Sequence, residues 1–167
     1  MTVKTLPTGF EVAGRELTIS RVFNAPRSLV FDAYTKPELI KRWWGPSQWP
    51  VVACTVDLRP GGKWHYCMKS IETGDESWGV STYSEVVPPE RLVYQDAFAD
   101  AAGNINEGLP VSVTTVTFED LGQTTRMTSH SVYPTAADLE TVIQMGMIEG
   151  ITECFGQLEA LLVAEQA

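Results

Sequence analysis

Residues 59–68 read RPGGKWHYCM, and this stretch carries the strongest structural signal in the chain. Its Pro-Gly-Gly segment favours a tight turn, because proline presets one backbone angle and glycine adopts conformations that other residues avoid. The segment that follows alternates large apolar with polar side chains, which is typical of a strand with one buried face. The predicted buried face carries Trp64, Tyr66 and Met68, and the predicted solvent face carries Lys63, His65, Cys67 and Lys69. We therefore predict a turn and a strand whose large side chains line either a core or a cavity.

The composition of the whole chain indicates a soluble globular protein. Its 167 residues are 44% hydrophobic and 20% charged, so we expect one domain over residues 1–167 with its core over 15–163. The net charge of -9 disfavours nucleic acid and anionic lipid as partners. Neither a leader pattern in residues 1–20 nor an apolar stretch of membrane-spanning length occurs. We therefore expect a cytoplasmic protein without membrane insertion.

The cysteines and histidines do not indicate a disulfide or a metal centre. Cys54, Cys67 and Cys154 lie far apart and form no paired spacing, which favours reduced thiols. His65 and His130 are the two histidines, and both fall on predicted solvent faces without a second ligand at chelating spacing. Nucleotide loops, dinucleotide fingerprints and nucleophile elbows do not occur either. We expect no metal and no cofactor, and the sequence offers no catalytic residues that would favour an enzyme.

The remaining patterns predict two short helices, a strand meander and a terminal helix. Alternation over residues 15–23 predicts a first strand, and Pro26 and Pro37 each precede apolar residues at helical spacing. Turn signals after Val51 separate about six further strands. Over residues 136–164 the apolar period becomes helical. We therefore expect an α+β helix-grip fold, with a curved antiparallel sheet of about seven strands wrapped around one long C-terminal helix.

Four ordered motifs resemble a known family. They are FNAPRSLVFDAYTKPELIKRWWGP at 23–46, DLRPGGKWHYCM at 57–68, EVVPPERLVY at 85–94 and MGMIEGITECFGQLEALL at 145–162. Together they are similar to the SRPBCC or START-like superfamily, and within it to homologues of the ninety-kilodalton heat-shock protein (Hsp) ATPase activator. The resemblance spans residues 15–163 and implies the helix-grip fold. For function it implies several roles, because this scaffold serves lipid carriers, hormone receptors, cyclases and co-chaperone modules.

Small side chains on the predicted terminal helix favour a cavity beside it. Gly146, Gly150 and Cys154 recur at every fourth residue on its inward side, although a mid-helix glycine costs about 1 kcal/mol relative to alanine. These residues either leave space between helix and sheet or let the two approach closely. Flexible methionines suit an adaptable cavity wall. The candidate ligand-binding residues are Trp44, Trp64, Tyr66, Met68, Tyr83, Met127, Ser129, Met147, Gly150 and Ile151.

Three further positions leave alternatives open. Either face of the strand over residues 78–87 can point inward, and we favour Tyr83 inside. That choice brings Glu85 to the rim, where we prefer a solvated carboxylate to a catalytic base. For Arg21 we prefer a head group that extends to water over one that anchors a ligand carboxylate. An inward Met127 would bring Ser129, Ser131 and Tyr133 onto its face, so the interior would be apolar with a few hydroxyls.

The leading functional prediction is a small-molecule binding or carrier protein. Its hydrophobic or aromatic ligand would lie between the sheet and the terminal helix, under a Trp43–Trp44 helix and the loop over residues 99–110. The resemblance implies an alternative, a co-chaperone-like interaction module that stimulates a heat-shock chaperone ATPase. A cyclase or isomerase that uses the same pocket is a further alternative. The predicted partners are thus a hydrophobic small molecule or a chaperone, and a homodimer is a further option.

Overall fold

Eight antiparallel strands form one curved sheet in the computed structural model, which describes residues 6–167. The strands are β1 (Phe10–Ala13), β2 (Glu16–Phe23), β3 (Val51–Val56), β4 (Lys63–Lys69), β5 (Glu76–Val87), β6 (Arg91–Ala99), β7 (Ser112–Asp120) and β8 (Thr125–Val132). Their spatial order is β1-β2-β8-β7-β6-β5-β4-β3, so β2 closes on β8 and the rest is a meander. The helices are α1 (Arg27–Thr35), α2 (Pro37–Ile40), α3 (Ala136–Gln144) and α4 (Met147–Glu165). The predicted α+β helix-grip fold is confirmed.

The sheet has one strand more than predicted. The strand β1 pairs with β2 along the edge, with Phe10 opposite Ile19 and Ala13 opposite Glu16. Gly14 makes the tight connection between them at a φ of 61°, a left-handed conformation that suits glycine. The prediction began the first strand at residue 15 because clear alternation of apolar side chains starts only there. The edge strand is largely exposed, so burial leaves little periodic signal in its sequence.

The predicted single helix over residues 136–164 is wrong, because the structure has two helices there. Gly146 has a φ of 92°, which ends the helical path after α3 and lets α4 begin in a new direction. Thr135 caps α3 by accepting a hydrogen bond from the backbone N–H of Asp138 at 3.0 Å. The helical spacing of apolar residues continues across Gly146, so this spacing could not reveal that one helix ends and another begins there. The longer helix α4 packs across the inner face of the sheet.

The inward face of β4 is as predicted, but one residue of its outward face is not. Trp64 is 3% exposed and Tyr66 is 9% exposed, while Met68 is half-buried. Cys67 was expected to face water and is instead fully buried. Its cross-strand partner is Trp78, whose large side chain shares the outer face. Contacts on the outer face of the sheet therefore bury a residue that strand alternation alone predicts to be exposed.

The strand β5 points Tyr83 inward, as predicted, with 1% of that residue exposed. A shift in the pairing with β6 between Tyr83 and Glu85 interrupts the alternation. Glu85 pairs with Arg91 on a solvent-accessible edge. Val80 is also buried, on the opposite face, where it borders a recess with Ala102 of the loop over residues 100–111. Both faces of this strand are therefore partly covered.

Trp43 joins the short helices to α4. The helix α2 ends at Ile40, so the predicted Trp43–Trp44 helix is instead a turn. Trp43 is fully buried, and its Nε1–H donates a hydrogen bond to the Ala33 carbonyl oxygen at 2.8 Å. Its ring stacks near Phe155 of α4, with centroids 6.4 Å apart. This anchoring leaves the next residue, Trp44, to face the space between sheet and helix.

Candidate ligand-binding cavity

A cavity of about 500 Å³ lies between the sheet and the two C-terminal helices. Its walls come from the turn that carries Trp44, from β4, β5 and β6, and from the segment joining α3 to α4. This volume is in the range that holds a small organic ligand. Among its lining residues Met145 is exposed, and Pro46 and Pro110 are half-buried.

Six of the ten candidate residues line this cavity, and four do not. The lining six are Trp44, Tyr66, Met68, Met147, Gly150 and Ile151. Trp64, Tyr83 and Met127 pack within the buried core, and Ser129 lies on the inner face of β8 opposite Val116. A role in ligand binding stays a prediction for all ten. The structure adds Trp49 and Phe98, which sequence reasoning did not name for the lining.

Aromatic rings form one wall of the cavity. The ring centroids of Trp44 and Tyr66 lie 5.9 Å apart at a steep angle, and Trp64 packs behind both at 5.2 Å and 5.1 Å. Edge-to-face contacts of this kind stabilise aromatic clusters. Tyr66 lies directly across Gly79, where even a β-carbon would collide with its phenol ring. Gly79 thus sets the position of this wall.

The helix α4 forms the opposite wall with small and flexible side chains. A β-carbon built on Gly150 would meet the Pro46 ring at 3.5 Å, an ordinary contact distance, and no atom of the sheet lies within 4 Å of it. Of the two alternatives that the sequence left open, Gly150 therefore leaves space and does not mediate close packing. Met147 and Ile151 flank it along the helix and also line the cavity.

Asp96 is the functional candidate that sequence reasoning missed. It lies on the inner face of β6, lines the cavity, and accepts a hydrogen bond from Ser81 Oγ at 3.2 Å. Burial raises the pKa of this carboxyl to about 6, although hydrogen bonds from Ser81 and the Ala97 backbone oppose the rise. A carboxylate in this range can exchange a proton near neutral pH. The available signal was its inward position between Tyr94 and Phe98 in an alternating strand.

The neighbouring phenols and thiol remain protonated at neutral pH. Burial raises the pKa of Tyr133 to about 12 and that of Cys154 to about 11. Burial also raises the pKa of Tyr66 and of Tyr94 well above its ordinary value. Asp96 is therefore the cavity group that changes charge near neutrality. The three cysteines are free thiols, as predicted.

The two other charged candidates lie outside the cavity lining. Arg21 Nη2 pairs with Glu159 Oε1 of α4 at 2.9 Å, and its guanidinium lies over the Phe155 ring at 5.7 Å. Its partly exposed head agrees with the preferred prediction of a group that reaches towards solvent. Glu85 is held by Arg91, so neither charge is placed to meet a ligand in the cavity.

The loop after β6 covers a different surface from the one predicted. The carbonyl oxygen of Asp100 lies 2.9 Å from Nε2 of His65, which is on the outer face of β4. The predicted roof over the cavity is therefore wrong for this part of the loop. Pro110, at its far end, does border the cavity. The alternation of β4 had placed His65 on the outer face, but it could not show that the loop folds there.

We expect metal chelators to leave thermal stability unchanged. Within residues 6–167, no three His, Cys, Asp or Glu side chains lie together in a way that would hold a metal ion. Nε2 of His130 instead lies 2.7 Å from Glu16 Oε1, and the ring of His65 packs against Trp78 with centroids 4.9 Å apart. Thermal melts with and without EDTA test this expectation. A clear fall in the melting temperature would show that a metal contributes to folding.

We expect Asp96→Asn to become more stable relative to the wild type as pH rises from 4 to 8. The folded-state pKa of Asp96 is about 6, above its ordinary value of 3.8, so folding favours the protonated acid. The stability this acid contributes is complete below its unfolded pKa and is lost as pH rises through the folded value. The relative gain of the variant should be about 1 to 2 kcal/mol after allowance for solvent in the cavity.

Urea unfolding at pH 4, 6 and 8 measures this gain. Asp120→Asn is the matched control, because Asp120 is an exposed carboxylate at the last position of β7. An identical pH response in both variants would contradict the assignment of the raised pKa to Asp96.

Comparison with known proteins places this chain in a family. Residues 24–163 match the family model described as "Activator of Hsp90 ATPase homolog 1-like protein". The crystal structure of protein Ms6760 from Mycobacterium smegmatis is 35% identical, with 89% of this chain and 90% of that chain covered and a TM-score of 0.80. A solution structure from Staphylococcus epidermidis is 31% identical over 93% and 94% of the two chains, with a TM-score of 0.79.

A third solved structure, from Arthrobacter aurescens, has a TM-score of 0.86 at 29% identity over 94% of this chain and 92% of its own. Among curated proteins, no sequence matches the chain. Among the described residues, no helix is both long enough and apolar enough to cross a membrane. The family model covers most of the chain and agrees with the resemblance of its motifs, so this protein belongs to the family of Activator of Hsp90 ATPase homolog 1-like proteins.

Proposed function

We propose that this protein binds a hydrophobic or aromatic small molecule in the cavity between its sheet and α4. The observation that carries the proposal is the cavity itself, about 500 Å³ with a predominantly apolar lining. Aromatic rings on one side and glycine with flexible methionine on the other suit a ligand held by surface contact. Asp96 and the Tyr133 and Ser112 hydroxyls are the polar groups that would orient it.

Titration with the neutral fluorescent probe N-phenyl-1-naphthylamine tests the proposal. We expect saturable binding of one probe per chain and quenching of tryptophan emission, because Trp44 and Trp49 line the cavity. Native mass spectrometry of freshly purified protein would show whether a ligand is retained from the cell. Probe fluorescence that rises without saturation, or a stoichiometry unrelated to one site, would contradict a defined cavity site.

The family match supports a second candidate, stimulation of a heat-shock chaperone ATPase. The matched model is named for an activator of the Hsp90 ATPase and spans residues 24–163. An ATPase assay with purified Hsp90 measures this role, and a pull-down tests physical association. Stimulation that survives occupation of the cavity by the naphthylamine probe would place the chaperone contact elsewhere on the molecule.

A further inference from the structure

Asp96 gives the cavity lining a negative charge that no basic lining residue of the described chain balances. Within residues 6–167, the lining includes this one carboxylate and no lysine, arginine or histidine. No ion pair joins Asp96 to a basic side chain of the described chain, and its side-chain partner is the uncharged Ser81. A partly buried carboxylate without a counter-charge is unfavourable, because it loses hydration without gaining an opposite charge. A cation that enters the cavity would supply that charge.

The hydrogen bonds of Asp96 also leave room for a ligand. A carboxylate accepts up to about four hydrogen bonds through its two oxygens. Ser81 Oγ supplies one, at 3.2 Å, and the backbone N–H of the adjacent Ala97 lies near enough to oppose the rise in its pKa. The remaining capacity faces the cavity because Asp96 is itself one of the lining residues. A ligand with several N–H donors on one positive group can use it.

The aromatic lining favours the same ligand chemistry. Trp44 and Tyr66 line the cavity together with Asp96. The faces of such rings carry partial negative charge and attract organic cations. The whole chain carries a net charge of -9, which raises the local concentration of cations and lowers that of anions.

We propose that the ligand is an apolar or aromatic amine whose ammonium group binds Asp96 while its hydrocarbon part contacts the aromatic wall and α4. This inference rests on the proposed function and specifies its ligand class. It assigns Asp96 the role of counter-ion and makes the site selective against carboxylic acids of the same shape. Ser81 is a positioning residue, because it holds the carboxylate from the adjacent strand.

The titratable groups around Asp96 do not change charge between pH 5 and pH 8, so the pH dependence of ligand binding can be assigned to Asp96. Three phenols interact with Asp96, namely Tyr66 on β4, Tyr94 on β6 and Tyr133 after β8, and the thiol of Cys154 on α4 lines the same cavity. Burial keeps all four protonated below pH 9, since it raises the pKa of each. Binding that changes between pH 5 and pH 8 therefore reports Asp96, whose pKa is about 6.

Calorimetric titration with three ligands of one skeleton tests the inference. The ligands are 4-phenylbutylamine, 4-phenylbutanol and 4-phenylbutyrate, which are cationic, neutral and anionic at pH 8. We expect the amine to bind about tenfold or more tightly than the alcohol, and the acid to bind most weakly, because charge-assisted hydrogen bonds are the stronger ones. Lowering the pH to 5 should weaken amine binding by about tenfold and leave alcohol binding unchanged.

Asp96→Asn should abolish the preference for the amine while keeping the affinity for the alcohol. Asp120→Asn removes an exposed carboxylate outside the cavity and should keep the preference. Amine and alcohol binding of equal strength in the wild type would overturn the inference, as would a preference that persists in a folded Asp96→Asn. If this variant does not fold, the pH dependence of the wild type decides the question.

The same titrations separate this inference from the proposed function. Loss of binding for all three ligands and for N-phenyl-1-naphthylamine would reject the cavity as a ligand site. Binding of the neutral naphthylamine and the alcohol without preference for the amine would retain the site and reject only its cationic ligand.

Discussion

Replacing Gly62 by alanine should destabilise the fold by about 3 kcal/mol or more. A β-carbon at this position would overlap the backbone carbonyl oxygen of Asp57 and lie 2.9 Å from that of Arg59. These are backbone atoms, which cannot rotate away as a side chain can. The turn is also bonded to β5, since the N–H of Tyr83 donates to the Gly62 carbonyl oxygen at 2.9 Å. A shift of the turn would therefore disturb the strand that carries Tyr83 into the core.

The neighbouring Gly61 provides the matched control for this substitution. Gly61 has a φ of 83°, and no atom lies within 4 Å of a β-carbon built there. Alanine at this position should cost only about 1 to 2 kcal/mol, the penalty of a left-handed conformation. Urea unfolding of both variants measures the difference. Equal losses of stability would show that the turn rearranges easily, and would contradict the steric argument for Gly62.

Local patterns predicted most of the fold because they report burial directly. The turn at residues 60–62 and the alternation after it placed Trp64 and Tyr66 on the inner face, and both are buried. Pro37 marked the first residue of α2. The patterns failed where contacts distant in sequence decide exposure or direction. Cys67 is covered on the outer face, and Gly146 bends the path between α3 and α4 without any change in apolar period.

The cavity was harder to predict than the fold. Alternation identifies the face of the sheet on which a side chain lies, but not whether that side chain meets the packed core or the cavity. Trp64 and Tyr66 share one face of β4, yet Tyr66 lines the cavity and Trp64 packs behind it. Whether an inward residue packs in the core or lines the cavity depends on which side chains of α4 lie opposite it. Asp96 was missed for a related reason, because its place between Tyr94 and Phe98 in an alternating strand indicates an inward position but not that this position meets a cavity. The pairing of β6 with β5, which places Asp96 opposite Ser81, is not visible in the sequence.

Gly150→Leu should reduce the affinity for N-phenyl-1-naphthylamine by about tenfold or more, because the new side chain would fill part of the cavity. Its first carbon would meet only the Pro46 ring, at 3.5 Å, so the backbone of α4 need not move. Replacing glycine within a helix also removes a conformational penalty of up to about 1 kcal/mol. We therefore expect the melting temperature to hold or rise while binding is lost.

Gly156→Leu is the matched control, because it makes the same chemical change on the exposed side of the same helix. No atom lies within 4 Å of a β-carbon built on Gly156, and this residue does not line the cavity. This variant should gain comparable helix stability and bind the probe as the wild type does. Unchanged probe binding in a stable Gly150→Leu would place the site elsewhere. A strong loss of stability in Gly150→Leu alone would mean that the space beside α4 is filled in solution, as overpacking a filled core is destabilising.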